Sequence, residues 1–225
     1  MTRYPRAFIF DLDGIITDTA EFHYLAWKEL GEELGVSIDR AFNEQLKGIS
    51  RIKSLERILS LAPSLAEMTE QEKEKYATQK NDHFKKLIDK INSNDILPGI
   101  EVLLNKIKKY EIKVALGSAS KNAPAVLEQL GLTNHFDYLV DAAKVTKGKP
   151  DPETFTTAAE ALEVAYSDCV GIEDAQSGVE AINGAEMFSV GVGEQLIGAD
   201  YKVMSTNELD FQKIIDRYQD WVSER

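Results

Sequence analysis

Two aspartates separated by one residue follow a short apolar run near the start of the chain. The run Ala7–Phe10 is typical of a buried strand in a parallel sheet, and Asp11, Leu12, Asp13 and Gly14 come directly after it. Because side chains alternate along a strand, we expect Asp11 and Asp13 to project to the same side. Like charges this close repel each other unless a cation lies between them, and Mg²⁺ prefers such oxygen ligands. For two aspartates alone, a solvated strand end is the alternative interpretation.

Three later segments place polar residues after predicted strands. Residues 117–122 (GSASKN) offer hydroxyls and backbone N–H groups ahead of a helix, where they could bind phosphate oxygens. Lys147 and Lys149 precede a helix that begins with proline, and a lysine there could neutralise a phosphoryl group. Glu173 and Asp174 form a second acidic pair. The serine loop and the lysines are common in solvated loops too, but acidic pairs at two strand ends together favour an Mg²⁺ site.

Composition excludes several classes of protein. The chain has 225 residues, 43% of them hydrophobic, and a formal net charge of −12, which argues against nucleic-acid binding. Any anionic substrate must therefore meet a local cluster of cations. The single cysteine, Cys169, lies in an apolar run, so we expect a buried thiol, no internal disulfide and a reducing compartment. No apolar stretch is long enough to span a membrane and no signal-peptide core is present, which predicts a soluble, cytoplasmic protein.

The pattern of elements predicts an α/β fold with a Rossmann-like, doubly wound parallel sheet. Residues 15–94 carry only helical patterns, whereas from Pro98 onward strands alternate with helices. We therefore expect residues 1–14 and 95–225 to form the α/β core and residues 15–94 to form an inserted α-helical domain. The predicted strands after the first span residues 112–116, 136–140, 169–172, 188–192 and 201–204. The predicted helices span residues 20–34, 55–61, 69–91, 100–110, 123–130, 152–162, 176–183 and 209–222.

Taken in order, the DxDG sequence at Asp11, the serine at Ser118, the Lys-Pro pair at Lys149 and the acidic pair at Glu173 resemble the haloacid dehalogenase (HAD-like) superfamily. The resemblance covers nearly the whole chain, including a helical cap inserted after the first motif, the C1 position. It implies that Asp11 is a nucleophile that forms an aspartyl-phosphate and that Asp13 is the general acid and base. It also implies one Mg²⁺ per chain, held by Asp11, the Asp13 backbone carbonyl and Asp174, with Glu173 nearby.

Within the superfamily, the sequence is similar to the β-phosphoglucomutase family. The similar segments are DLDGIITDTAEFH, FNEQLKGISR, KND at residues 80–82, LGSASKN and GIEDAQSG. That family interconverts β-D-glucose 1-phosphate and D-glucose 6-phosphate through β-D-glucose 1,6-bisphosphate, with Mg²⁺. The resemblance implies a phosphomutase (an isomerase) of carbohydrate metabolism that takes small sugar phosphates, uses the bisphosphate as an activating intermediate and works as a monomer.

The same resemblance assigns roles to further residues. Ser118, the Ala119 backbone and Lys149 are implied to hold the transferred phosphoryl group. The residues implied to hold the other phosphate are Arg51, Ser120, Lys121 and Asn122. The residues implied to line the hinge and the cap side of the pocket are Thr19, His23, Trp27, Leu46, Lys47, Gly48, Ser54, Lys80 and Asn81.

Local reasoning and the resemblance disagree on one of these residues. By itself, the spacing of His23, Trp27, Leu30 and Leu34 predicts the apolar stripe of a helix, so the resemblance changes the interpretation of His23 from core to site. Two lysines, Lys147 and Lys149, compete for the third motif, and we prefer Lys149 because it directly precedes proline.

Two alternative functions stay open. A sugar-phosphate phosphatase of the same superfamily would share the four motifs and a similar cap. The joint presence of LKGISR, KND and SASKN argues against it, because a small-substrate phosphatase has less need of them. A non-catalytic binding protein with this fold is the second alternative, and the intact acidic pairs and lysine argue against that.

Overall fold

The computed structural model describes residues 4–46, 49–65 and 67–225. The chain divides into two compact units, Met1–Asp18 with Asn92–Arg225 and Thr19–Ile91. The divisions therefore lie within four residues of the predicted limits of the insertion, and the role of that insertion as a cap stays a prediction.

The larger unit contains a six-stranded sheet in which every strand pair is parallel. The strands are β1 (Ala7–Phe10), β2 (Lys113–Leu116), β3 (Tyr138–Leu139), β4 (Cys169–Glu173), β5 (Phe188–Val192) and β6 (Tyr201–Val203), in the order β3-β2-β1-β4-β5-β6. The chain thus builds outward from β1 in one direction and then returns to build outward in the other. The predicted parallel α/β sheet is confirmed, and its topological switch point lies between β1 and β4, where such sheets bind ligands.

The smaller unit is helical, with α1 (Ala20–Glu33), α2 (Arg40–Glu44), α3 (Arg51–Leu59) and α4 (Glu70–Ile88). Its core packs Trp27 and Leu30 of α1 against Leu55 and Ile58 of α3, which confirms the predicted apolar stripe of the first helix. Helix α2 is absent from the sequence prediction, and α3 begins four residues before its predicted start. Both helices begin with a side-chain cap, because Asp39 accepts from the N–H of Phe42 and Ser50 accepts from the N–H of Lys53.

Helices cover both faces of the sheet. They are α5 (Ile100–Lys109), α6 (Ala123–Leu130), α7 (Glu153–Ala161), α8 (Gln176–Gly184) and α9 (Phe211–Ser223). Side chains of β1 alternate between the two layers, since the Phe8 ring stacks on Phe211 of α9 while Ile9 packs into a cluster with Phe155 of α7 and Ile182 of α8. All four residues of β1 are buried, as expected for the central strand of a parallel sheet.

The third strand is shorter than predicted. The residues in register with β2 are Tyr138 and Leu139, whereas the sequence pattern predicts a strand over residues 136–140. The N–H groups of Asp137 and Val140 also donate to carbonyls of β2, at 2.8 and 3.0 Å. The side chain of Asp137 accepts a hydrogen bond of 2.7 Å from the N–H of Val114, and this carboxylate takes the place of the backbone partner that a longer strand would supply. Among the described residues, no helix combines the length and apolar character needed to cross a membrane.

The single cysteine is fully buried at the start of β4, as predicted. Its Sγ donates to the carbonyl of Ala165 at 3.4 Å, and burial raises the pKa of the Cys169 thiol to about 12. Because only the thiolate is nucleophilic, the native thiol stays protonated and unreactive at ordinary pH.

We therefore expect the folded protein to resist alkylation by iodoacetamide between pH 7 and pH 9, about the working range in which an exposed thiol ionises. Mass spectrometry of the native and denaturant-unfolded protein checks this expectation. One equivalent should be added only after unfolding, and rapid alkylation of the native protein would contradict the burial of Cys169.

Candidate active site

Asp11 lies at the point where three strands end together. Its N–H donates to the carbonyl of Ile172 at 3.0 Å, and the carbonyl of Phe10 accepts from the N–H of Gly117 at 2.7 Å. These bonds extend the pairing of β1 with β4 and β2 by one residue. Asp11 is thereby held at the switch point by the backbone, beside Glu173 at the end of β4 and the loop after β2.

A tight turn follows Asp11. The carbonyl of Leu12 accepts from the N–H of Ile16 at 2.8 Å, and Gly14 donates to the carbonyl of Thr17 at 2.8 Å. Gly14 has a φ of +77°, and a Cβ there would lie 2.0 Å from Oδ2 of Asp174, so both conformation and space require glycine. Since β1 ends at Phe10, this turn, and not the strand alternation that we assumed, sets the position of the half-buried Asp13.

Lys149 connects the two acidic strand ends. Its Nζ lies 2.6 Å from Oδ1 of Asp11 and 2.5 Å from Oε1 of Glu173, and its side chain is 5% exposed. Burial favours the neutral amine, but the two carboxylates outweigh it and hold the pKa of Lys149 above its ordinary value. By contrast, the side chain of Lys147 is 72% exposed and its Nζ lies 3.8 Å from a carboxylate oxygen of Asp151. The geometry thus favours Lys149 over Lys147 as the lysine of the site.

Three carboxylates form a compact oxygen-rich group. Each of Asp11, Glu173 and Asp174 offers an oxygen within 4.8 Å of the others. Burial is the largest cause that raises the pKa of Asp11 to about 7 and that of Asp174 to about 8, with repulsion from Glu173 adding to both and Lys149 opposing it. An all-oxygen group with surplus negative charge fits a hard divalent cation such as Mg²⁺. The Asp13 carboxylate is not part of this group, and the predicted ligation by its backbone carbonyl stays a prediction.

The loop after β2 brings hydroxyls to the same edge of the sheet. Ser118 Oγ accepts from the N–H of Ser120 at 3.1 Å, and Ser120 Oγ accepts from the N–H of Asn122 at 3.3 Å. These bonds fold the loop ahead of α6, with Ser118 and Asn122 buried and Ala119 and Lys121 exposed. Serine hydroxyls at the start of a helix suit phosphate oxygens, and the predicted contacts of all five residues with phosphate stay predictions.

In the smaller unit, α1 and α4 bring His23, Trp27 and Lys80 together. Lys80 Nζ lies 2.7 Å from Nδ1 of His23 and 4.7 Å from the ring centroids of both Trp27 and Phe84. An ammonium group can only donate, so Nδ1 accepts and His23 is neutral. Its burial, followed by the charges of Lys80 and Arg51, holds the pKa of His23 well below its usual value.

The other predicted residues of the smaller unit are placed as follows. Thr19 is buried and precedes α1, and Asn81 is buried on α4. Ser54 of α3 donates to the carbonyl of Leu46 at 3.5 Å. Arg51 is half-buried at the start of α3, and its burial lowers its pKa. Lys47 and Gly48 lie outside the described residues. The substrate contacts predicted for this whole set stay predictions.

The structure adds two residues that sequence reasoning missed. The Phe155 ring centroid lies 5.1 Å from Lys149 Nζ, and a Cβ at Gly178 of α8 would lie 1.9 Å from Oε1 of Glu173. Glycine at position 178 therefore makes room for the carboxylate that holds Lys149. Gly178 lies in the GIEDAQSG segment, so a signal was present, whereas nothing in the sequence distinguishes Phe155 from an ordinary core residue.

Comparisons with known proteins support one family. The family model for haloacid dehalogenase-like hydrolases matches residues 5–186. A β-phosphoglucomutase from Bacillus subtilis is 44% identical over 218 residues, 96% of this chain and 96% of the relative. A phosphorylated carbohydrates phosphatase from Thermotoga maritima is 32% identical over 181 residues, 80% of this chain and 81% of the relative. The crystal structure of a β-phosphoglucomutase from Clostridium difficile has a TM-score of 0.94 and 50% identity, and the match covers 97% of this chain and 99% of that one.

The raised carboxyl pKa values predict how Mg²⁺ affinity depends on pH. Protons compete with the cation below about pH 7 to 8, where Asp11 and Asp174 become protonated. We expect the affinity to rise from pH 6 to pH 9, by up to about tenfold per pH unit while one proton is displaced. Calorimetric titration at matched ionic strength measures this, and a pH-independent affinity would contradict the prediction.

Thermal unfolding tests the same charges in the metal-free protein. Since the pKa values of these carboxyls are raised in the folded state, ionisation favours unfolding, so stability should fall as pH rises toward 8. Saturating Mg²⁺ should abolish this fall in stability. NaCl at the same ionic strength should not.

Gly178→Ala should disturb the site through Glu173. We expect Mg²⁺ affinity to fall several-fold and the free energy of unfolding to fall by about 1–3 kcal/mol, because the new methyl group displaces a buried carboxylate. Gly184→Ala on the same helix is the matched control, since its nearest neighbour, Pro152, would lie 3.7 Å from the new Cβ. Equal effects of the two substitutions would show that helix α8, and not the contact with Glu173, is the cause.

Proposed function

Because this chain belongs to the haloacid dehalogenase-like hydrolase family, we propose that it is a Mg²⁺-dependent β-phosphoglucomutase. It interconverts β-D-glucose 1-phosphate and D-glucose 6-phosphate through β-D-glucose 1,6-bisphosphate. The observation that carries the proposal is the 44% identity to a β-phosphoglucomutase over 96% of both chains, since a match of this extent includes both units. We also expect the protein to be cytoplasmic, as its sequence composition predicts, and to work as a monomer, as the family resemblance implies.

The first half of the reaction makes a phosphoenzyme. A carboxylate oxygen of Asp11 attacks phosphorus, the bond from phosphorus to the sugar oxygen breaks, and an aspartyl-phosphate forms. Asp13 donates a proton to the departing sugar oxygen, so the sugar leaves as an alcohol. The position of Asp11 at a strand end, fixed by backbone hydrogen bonds on both sides, supports in-line attack from one defined direction.

The charge of Lys149 has two uses in this step. Its ammonium group contacts Asp11 and Glu173, and its charge lowers the pKa of the nucleophile against the larger, opposing effect of burial. When phosphoryl oxygens arrive, the same ammonium group offsets their charge, together with donors from the Ser118 loop. When bound at the carboxylate group, Mg²⁺ supplies further positive charge against the phosphoryl oxygens.

The second half distinguishes a mutase from a phosphatase. The phosphoryl group must pass from Asp11 to a hydroxyl of the sugar monophosphate, and Asp13 then takes the proton of that hydroxyl. The bisphosphate turns end for end, so both phosphate positions must accept either end of the sugar. Arg51 and residues 120–122 are proposed to hold the second phosphate, and the cap is proposed to exclude water until the hydroxyl is in place.

A sugar-phosphate phosphatase is the second candidate function. The phosphorylated carbohydrates phosphatase of Thermotoga maritima, 32% identical over 80% of this chain, favours it. Both candidates share the step in which Asp11 becomes phosphorylated, and they differ in whether water or sugar accepts the phosphoryl group.

Phosphorus NMR of the products tests the proposal. We expect β-glucose 1-phosphate, with Mg²⁺ and a trace of β-glucose 1,6-bisphosphate, to become glucose 6-phosphate without release of inorganic phosphate. Asp11→Asn should abolish this conversion, because an amide cannot form the aspartyl-phosphate. Inorganic phosphate as the main product would favour the phosphatase, and an unchanged substrate with Mg²⁺ bound would refute the assignment of glucose phosphates.

A further inference from the structure

The loop that carries Lys149 is fastened by a carboxylate outside the acidic site. The side chain of Glu153 accepts hydrogen bonds from the N–H of Thr146 at 2.7 Å, from the hydroxyl of Thr146 at 2.8 Å and from the N–H of Lys147 at 2.7 Å. Both carboxylate oxygens are used. A single side chain thus joins the beginning of the loop to the helix that follows it.

Further bonds close the loop from within. The N–H of Asp151 donates to the carbonyl of Gly148 at 3.2 Å, and the N–H of Glu153 donates to Oδ1 of Asp151 at 3.1 Å. Residues 146–153 therefore form a closed loop at the start of α7. Lys149 lies in the middle of this loop and extends into the acidic site, where its side chain is 5% exposed.

These hydrogen bonds are suited to holding the buried ammonium group of Lys149 in place. Ordering a long lysine side chain and its loop costs conformational entropy, which bonds made before the substrate arrives can offset. The hydrogen bonds from Thr146 lower the pKa of Glu153, so the carboxylate is ionised at working pH. As the first residue of α7, it also has a favourable interaction with the helix dipole.

We propose that Glu153 is a positioning residue for phosphoryl transfer, which acts by holding the loop that places Lys149 between Asp11 and Glu173. This inference rests on the proposed function of the site, because it assumes that Lys149 meets the transferred phosphoryl group. The family resemblance assigned no role to Glu153. Its three bonds fasten the loop and touch neither Asp11 nor Glu173, so its effect must be transmitted through Lys149.

A purely structural role for Glu153 predicts a different pattern of effects. Loss of a helix-start contact would lower stability, Mg²⁺ affinity and turnover together. Displacement of the Lys149 ammonium group would slow turnover. It would also leave the negative charge of the carboxylates less neutralised, so Mg²⁺ binding should not weaken. The two explanations therefore differ in the direction of the metal response.

The test compares Glu153→Gln with Glu160→Gln, which removes the same charge from the opposite end of α7, where Glu160 accepts from the hydroxyl of Tyr166. In Glu153→Gln we expect kcat for β-glucose 1-phosphate to fall by about ten- to one-hundredfold, with Mg²⁺ affinity unchanged or tighter. Glu160→Gln should change neither quantity by more than about twofold, as expected for an exposed contact outside the site.

A spectroscopic arm does not depend on turnover. Proton–nitrogen NMR detects buried, hydrogen-bonded lysine ammonium groups, and the signal of Lys149 is assigned by its absence in Lys149→Ala. We expect this signal in the wild type and in Glu160→Gln, and we expect its loss in Glu153→Gln. An unchanged Lys149 signal in Glu153→Gln would overturn the proposal, and so would Mg²⁺ affinity and unfolding temperature that fall in step with turnover.

The outcomes separate this inference from the proposed function. If the wild type converts neither glucose phosphate while the contrast in the Lys149 signal persists, the assigned reaction is wrong but Glu153 still positions Lys149. If the wild type is an active mutase and the signal does not respond to Glu153→Gln, the positioning role is wrong and the assigned reaction stands.

Discussion

The buried ammonium group of Lys149, held between the carboxylates of Asp11 and Glu173, is the interaction on which the site depends. Removing these three charges from water is costly, and a buried ion pair rarely repays its desolvation in stability. The contribution of these ion pairs is geometric, because each charged group restricts the positions that the other two can take. The switch point of the parallel sheet makes this possible by bringing the ends of β1 and β4 side by side.

The packing around these charges is correspondingly intolerant. Gly14 and Gly178 lie against Asp174 and Glu173 so closely that a methyl group at either position would overlap a carboxylate. Because neither glycine has a side chain, each leaves room for a carboxylate, and both glycines thus contribute to the electrostatics of the site. Since protein interiors are close-packed, a small displacement of a buried carboxylate cannot be absorbed without moving its partners.

The site as folded carries more negative charge than Lys149 can neutralise. Burial is the largest cause of the raised pKa values of Asp11 and Asp174, and this surplus, to which Asp13 contributes, adds to it. A divalent cation bound at the carboxylates would offset this surplus negative charge, and so would the positive groups that surround a phosphoryl anion. In the smaller unit the buried ammonium group of Lys80 contacts a neutral His23 and two aromatic rings.

Much of this protein could be predicted from the sequence, because local patterns carry strong physical constraints. The apolar run before Asp11, the alternation of helices and strands and the order of four motifs predicted the parallel sheet and the family. The side-chain caps at the starts of α2 and α3 were not recognised in the sequence, so α2 and the true start of α3 were not predicted. The length of β3 also depended on a single side chain, Asp137, that replaces a backbone partner.

Only the tertiary structure decided which lysine enters the acidic group and what surrounds it. In the sequence, Lys147 and Lys149 lie in the same polar loop, and the preference for Lys149 depended only on the proline that follows it. The folded chain buries Lys149 over Phe155, leaves Lys147 exposed and fastens the loop through Glu153. These contacts join strand ends, a loop and helix starts that are far apart in the chain. Motifs and periodicity determine the elements and their chemistry, whereas burial and the exact partner of each charge arise only when distant segments pack together.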